Sequence, residues 1–226
     1  MRLKKYIPKF VFKIYHHLLA FLGALIYGFP GKKIKVIGIT GTNGKSTTAN
    51  ICFKILEEGG CKVAAMSSIS FKIGNKEKVN DLKMTMPGRF KIQQFLREAV
   101  KEKCDYIIIE VTSEGIEQFR HKFIDFDVAI FTNLSKEHIE SHGGFDNYKN
   151  AKGKFFNAVK GIHILNKDDP HFDYFNSFSA NKKLTYSILN NADISAKNIL
   201  TTQNFSEFEV GDVSFTTNLL GEFNIC

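Results

Sequence analysis

No carboxylate occurs in the first quarter of this chain. Glu57 is the first acid, and ten Lys and Arg precede it. The whole chain carries a formal net charge of +8, while the part from Glu57 onward sums to −2, so the entire excess sits at the N-terminal end. Such asymmetry points to an anionic partner there: a nucleotide, a lipid headgroup or a nucleic acid. No basic motif interleaved with aromatics and no DNA-reading pattern is present, which excludes nucleic acid. Cysteine is sparse. Cys52, Cys61, Cys104 and Cys226 include no C-x-x-C pair, which argues against a zinc site or a disulfide framework and fits a reducing cytoplasm. Long apolar runs are missing too. Leu18–Phe29 spans twelve residues, against about 20 needed to cross a bilayer. There is no internal repeat and no low-complexity segment. What remains is a chain of 226 residues, 43% hydrophobic and 24% charged, enough for one large soluble domain or a domain with an appendage.

The most informative stretch is KIKVIGITGTNGKS, residues 33–46. Ile34, Val36, Ile37 and Ile39 form the β-branched run of a parallel strand covered on both faces. Gly41 and Gly44 let the backbone curl so that successive N–H groups face one concavity, which with the following helix N-terminus suits a phosphate. Lys45 reaches β- and γ-phosphates as a point charge, and Ser46 offers its hydroxyl to Mg²⁺, with Thr47 beside them. Gly41, Thr42, Asn43, Gly44, Lys45, Ser46 and Thr47 are therefore the candidate ATP-binding loop. The spacing departs from the usual Gly-x-x-x-x-Gly-Lys pattern, because Ile39 stands at the first Gly position and Gly38 lies one place earlier.

Upstream, Lys5, Lys9, Lys13 and His16/His17 recur at helical spacing, with Phe10, Ile14, Leu18, Phe21, Leu22 and Leu25 on the other side. This predicts an amphipathic helix ended by Gly28-Phe29-Pro30-Gly31. No clear cleavage site follows it, so a signal peptide is disfavoured. Packing on the domain, lying in a membrane interface and docking a partner all remain open for residues 1–30. Downstream, the periodicity predicts helix 47–58, strand 63–66, a hairpin of 69–73 and 78–80 turned at Gly74-Asn75, and helix 88–103. Strand 106–111, strand 128–131, helix 145–159 and strand 162–165 follow. Alternating strands and helices imply a doubly wound, mostly parallel α/β sheet with ligands at the carboxyl ends of its strands. Beyond Lys183 the segments 184–188, 194–200, 205–210 and 213–217 read as a small antiparallel appendage. Glu110 ends a buried strand facing the phosphate loop, a position from which it can bind Mg²⁺ directly or through water.

TGTNGKST, residues 40–47, resembles the ATP-binding loop of the Mur ligase superfamily. Three further blocks extend that resemblance, chiefly to the tripeptide synthetases that act on UDP-N-acetylmuramoyl peptides. EVTSEGIEQFR, 110–120, is similar to their EVSSHxLxxxR element, with Glu110, Ser113 and Arg120 in register; Glu114 replaces the usual His, and Thr112 a Ser. TNLSKEHIESHGGFDNYKNAKGKFF, 132–156, resembles TNLxxDHLDYHGxxxxYxxAKxxLF, with Glu137 replacing Asp. Gly221-Glu222-Phe223-Asn224 resembles the start of GxFNxxNxxAA. The resemblance implies that His138 is a ligand of a second Mg²⁺ and that Lys152 reacts with CO₂ to form a carbamate that serves the metal. It implies that Thr85, Ser113 and Arg120 contact the acceptor substrate and that Asn224 contacts adenine. Asn166-Lys167-Asp168-Asp169-Pro170 resembles a structural turn near the nucleotide. Lys154 reads as an ordinary surface lysine.

The resemblance implies residues 1–31 as helix and linker and 32–226 as a central ATP-binding domain, incomplete at its C-terminus. It implies an ATP-dependent ligase with two Mg²⁺ ions, joining an amino acid to a UDP-muramoyl-peptide in the cytoplasm, while the basic amphipathic pattern of residues 1–30 leaves peripheral contact at the inner membrane face open. It also implies further chain after Cys226, and no turnover by these 226 residues alone. Three alternatives stay open: a ligase amidating lipid-linked precursors, a folylpolyglutamate synthase, and an ATP-binding remnant without catalysis. The first usually carries a four-cysteine zinc insertion missing here, and the second normally reads GTNGKGS.

Overall fold

The computed structural model describes residues 8–82, 84–137 and 142–226. Among them, eleven strands form one sheet in the order β11-β10-β9-β8-β7-β6-β1-β5-β2-β3-β4. Central strand β1 (Lys35–Thr40) lies parallel between β5 (Tyr106–Glu110) and β6 (Phe126–Phe131). Strand β2 (Val63–Met66) continues the parallel set beside β5. The hairpin β3 (Ser70–Ile73) and β4 (Lys76–Val79) turns antiparallel at that edge. On the other side, β7 (Ile162–Asn166) pairs parallel with β6.

Strand β5 shows why this sheet must be covered twice. Ile107 and Ile109 enter the core under α3 (Arg89–Lys101) and α5 (Phe145–Ala158), while Ile108, pointing the other way, joins Phe53 of α2 (Lys45–Glu58). Successive strand residues alternate faces, so a run of isoleucines needs helices on both. All three are fully buried, each contributing on the order of 1.5–3 kcal/mol. Gly38 belongs to this packing rather than to the phosphate loop. It sits inside β1, and a Cβ there would come within 2.8 Å of the Phe126 ring and overlap Phe155.

Two short helices escaped the periodicity: α4 (Ser113–Glu117) and α6 (Phe172–Asn176). Five residues cover little more than one turn, too few for a periodic signal. One predicted boundary is corrected. The segment read as the first strand of the antiparallel appendage is β8 (Lys182–Ser187), which pairs parallel with β7 over five residues. Strand β9 (Ile194–Thr201) also begins parallel to β8, and within the appendage β10 (Ser206–Val210) runs antiparallel to both of its neighbours, β9 and β11 (Val213–Thr217). Alternation within Leu184–Ile188 carried no signal of strand direction.

The N-terminal helix forms as α1 (Lys9–Ile26), and Gly28 at φ 71° and Phe29 at φ 50° break it before Pro30. Its orientation, left open by the sequence, is set by its small residues. Ala20 and Ala24 are buried and Gly23 rests on the Arg89 carbonyl, whereas Phe10, Ile14, Leu18, Leu22 and Leu25 are exposed. Small side chains permit close helix approach, so they packed, and the large apolar side turned outward.

Candidate active site

The tips of β1, β5 and β6 meet at one place. Gly44 at φ 82° caps α2, so the turn Gly41–Gly44 leads straight into a helix whose first residues are Lys45 and Ser46. A positive φ favours glycine. Gly41 has a different constraint: a Cβ there would overlap the Thr132 hydroxyl. The loop is fastened to the tip of β6. Thr42 N–H donates to the Asn133 carbonyl at 2.9 Å, Asn43 N–H to Asn133 Oδ1 at 2.9 Å, and the Thr132 hydroxyl to the Asn43 carbonyl at 2.7 Å. Asn43 Nδ2 also donates to Glu137 at 3.1 Å, so the Glu replacing the usual Asp is within reach of the loop.

Two lysines converge on this turn. Lys45 Nζ donates to the carbonyls of Gly41 at 3.0 Å and Thr42 at 2.7 Å. Lys152, from α5, donates to the same Gly41 carbonyl at 2.8 Å and lies over the Tyr148 ring at 4.8 Å. Lys152 is 1% exposed. Burial, helped by the Lys45 charge, holds its amine well below the usual lysine range. Burial also lowers Lys45, while Glu110 and Glu137 raise it. A buried amine beside a second cation is destabilised in its charged form.

Glu110 is fully buried at the tip of β5, one strand from the loop. Its carboxylate accepts from Ser68 N–H at 3.0 Å and the Ser68 hydroxyl at 2.9 Å, and that hydroxyl meets Thr85 at 2.9 Å. Ser68 was not singled out from the sequence; it follows β2 in a Ser-Ser step with no pattern of its own. Thr112 caps α4 through Gly115 N–H at 3.1 Å, so Thr in place of Ser preserves the cap. Ser113 is buried at the start of that helix. Arg120 donates to the Met86 carbonyl and to Gln118 Oε1, which ties α4 to the Thr85-Met86-Pro87 loop. Glu114 stands exposed, and Lys154 pairs with Glu117 on the surface.

The Asn166–Pro170 turn is structural. Asn166 Nδ2 donates to the Thr132 carbonyl at 2.8 Å, and Asp169 accepts from Leu134 N–H at 2.7 Å. Asp168 accepts from Ile188 N–H at 2.7 Å. These contacts brace the β6 tip from behind. Asn224, in a short 3₁₀ turn, donates to the Leu220 carbonyl at 2.8 Å and makes no bond to the loop among the described residues. His138 lies outside the described residues. A groove of about 540 Å³ between β3–β4 and α3 includes none of the predicted site residues.

Could these residues hold ATP and Mg²⁺? No cluster of three His, Cys, Asp or Glu exists among the described residues. Mg²⁺ usually takes one or two protein oxygens, with phosphates and water completing its octahedron. The Ser46 hydroxyl and the Glu110 carboxylate fit that habit. Lys152 fits as well, since among the described residues its buried amine bonds to the Thr40 hydroxyl and the Gly41 carbonyl and to no carboxylate, and burial favours its neutral form.

Comparisons with known proteins bear on the family and the fold. The model of the Mur ligase middle domain matches residues 39–226. The chain belongs to the Mur ligase family. It is 31% identical over 92% of its length to the UDP-N-acetylmuramyl-tripeptide synthetase of Roseiflexus sp. (strain RS-1), covering 45% of that protein. It is 37% identical over 92% of its length to a UDP-N-acetylmuramoyl-L-alanyl-D-glutamate--2,6-diaminopimelate ligase of Clostridium perfringens (strain 13 / Type A), covering 44% of it. A solved structure of a ligase of that name superposes with a TM-score of 0.75 at 28% identity, over 85% of this chain and 41% of that one. MurF ligase from Thermotoga maritima in complex with ADP shares the fold, with a TM-score of 0.65 at 19% identity, over 93% of this chain and 46% of that one. The chain thus spans less than half the length of the Mur ligases it matches.

Proposed function

We propose that this chain is the central, ATP-binding part of an ATP-dependent ligase that joins an amino acid to the peptide of a UDP-N-acetylmuramoyl precursor. One observation carries the reading: Lys45 and Lys152 converge on the Gly41 carbonyl, with the Glu110 carboxylate on the adjoining strand. The acceptor carboxylate takes the γ-phosphoryl group of ATP, forming an acyl phosphate and releasing ADP. The amino acid's amine then attacks the acyl carbon, and phosphate leaves as the amide forms. Such chemistry asks the protein chiefly for positioning and charge stabilisation. In this reading residues 32–226 are one functional unit and 1–31 an added helix and linker. Gly41–Gly44 and Lys45 hold the phosphates, Ser46 and Thr47 open the helix beneath them, and Asn224 serves the adenine.

Two Mg²⁺ ions would be held by Ser46, Glu110, His138 and a carbamylated Lys152, and would neutralise charge on the transferring phosphoryl group. Lys152 suits carbamylation because its neutral amine can form the N–C bond with CO₂ and lose one proton, leaving an anionic oxygen donor. Thr85, Ser113 and Arg120 face the acceptor, and Arg120 also steadies the loop carrying Thr85.

We place the reaction in the cytoplasm. A second reading, an acceptor carried on a membrane lipid at the inner face, is favoured by the outward apolar side of α1. The test is amide formation by the complete protein across a panel of muramoyl acceptors and amino acids. The reading expects product only with ATP, Mg²⁺, an acceptor and an amino acid together, and none from residues 1–226 alone. ATP hydrolysis indifferent to every acceptor would overturn it.

A further inference from the structure

On α1, Val11, Ile14, Leu18, Leu22 and Leu25 follow one another at helical spacing, and each is between 40% and 55% exposed. They form a ridge about 20 Å long, at 1.5 Å per residue. Exposed apolar residues in ones and twos are ordinary, but an unbroken ridge marks a surface that something covers. The opposite stripe of the same helix, with Ala20, Gly23 and Ala24, is already taken by the domain. The ridge therefore cannot be the helix's packing face.

Charge identifies what covers it. Lys13 stands exposed beside the ridge, and Lys32 and Lys33 are exposed where the helix ends. Arg2, Lys4, Lys5 and Lys9 precede or open it in the sequence, and no acid occurs before Glu57. No helix among the described residues is long and apolar enough to cross a membrane. Where the ridge ends, Leu25 and Ile26 share a groove with Lys33, Arg97 and Lys101 and with one acid, Glu98. An apolar ridge whose flanks carry this cationic excess suits a helix lying in the plane of an anionic bilayer, its apolar side sunk about 5–10 Å among headgroups and acyl chains. Each lysine near such a surface adds about 1 kcal/mol.

We infer that α1 is an interfacial docking helix for anionic phospholipid, which seats the acceptor edge of the domain at the membrane surface. The connection to that edge is direct. His16 of α1 contacts Arg89 at the start of α3, Arg89 donates to the Gln118 carbonyl, and Arg120 links Gln118 to Met86 beside Thr85. Docking rests on α1 alone, whereas the presentation of an acceptor there also rests on the ligase reading.

The experiment is co-sedimentation of the complete protein with phosphatidylcholine vesicles, with and without phosphatidylglycerol. Comparison with the double variant Leu18→Glu/Leu22→Glu follows. The native protein should pellet only with the anionic vesicles and should be released by salt. The variant should bind about tenfold or more weakly, while its amide formation on a water-soluble acceptor stays unchanged, which shows that it folds. Native protein that ignores anionic vesicles, or a variant that binds them equally well, would overturn the inference. So would a native dimer that the variant converts to monomer without any lipid binding, since a second copy would then be the cover. Vesicle binding without ligase turnover on any acceptor would leave docking in place and remove the ligase reading instead.

Discussion

Lys45 and Lys152 donate to one and the same carbonyl, that of Gly41, at 3.0 and 2.8 Å. Two ammonium groups so close together in a largely buried site would repel strongly. The arrangement is stable when the more buried one, Lys152, is a neutral amine, and burial drives it that way.

Replacing Lys152 by Met should therefore cost little stability. The substitution removes a buried polar group and keeps most of the volume, so urea unfolding should change by about 1 kcal/mol or less in either direction. Ligase turnover should nevertheless fall by about a hundredfold or more, as when a charge-stabilising group is lost. Labelled bicarbonate should give native protein a carbamate ¹³C signal that Lys152→Met lacks.

Two neighbouring glycines should fail differently. Gly38→Ala pushes a methyl group against Phe126 and Phe155, so it should destabilise the fold by about 1–3 kcal/mol and leave ATP affinity per folded molecule unchanged. Gly41→Ala instead collides with the Thr132 hydroxyl at the loop itself, and should weaken ATP binding measured by calorimetry. Equal effects of both on ATP affinity would show that Gly38 belongs to the phosphate loop after all.

His121 should set part of the acid sensitivity. It is 5% exposed, its Nδ1 has no hydrogen-bond partner among the described residues, and burial, with Lys122 adding to it, lowers its pKa to about 4. An unfolded histidine near 6.5 binds its proton sooner as pH falls, so the folded state loses stability between about 6.5 and 4. This residue alone should contribute a loss of about 2 kcal/mol between pH 7 and pH 5. Urea midpoints of His121→Gln at the two pH values should lack that share of the drop.

Much of this was legible in the residues themselves. The isoleucine run of β5, the glycines around Thr42 and Asn43, and Glu110 at a strand end each have a physical cause that one stretch of sequence displays. Other features depend on residues far apart in the chain. Ser68 holds Glu110, and Thr132 and Asn133 hold Asn43, only because the parallel order places β2, β5, β1 and β6 side by side. The direction of β8 was illegible because alternation is the same in either sense of pairing. The outward side of α1 was open in the sequence because the hydrophobic pattern marks large apolar residues, whereas close packing on α3 selected Ala20, Gly23 and Ala24.

The most direct test of the site is ADP formation by the complete protein, with acceptor and amino acid each present or withheld, for the native chain, Lys45→Met and Lys152→Met. A working centre of this design requires native turnover to depend on both co-substrates. Each substitution should lower that turnover by about a hundredfold or more, with folding intact. Native rates retained in either variant would contradict the account, because ATP would then be handled somewhere other than at the Gly41 turn.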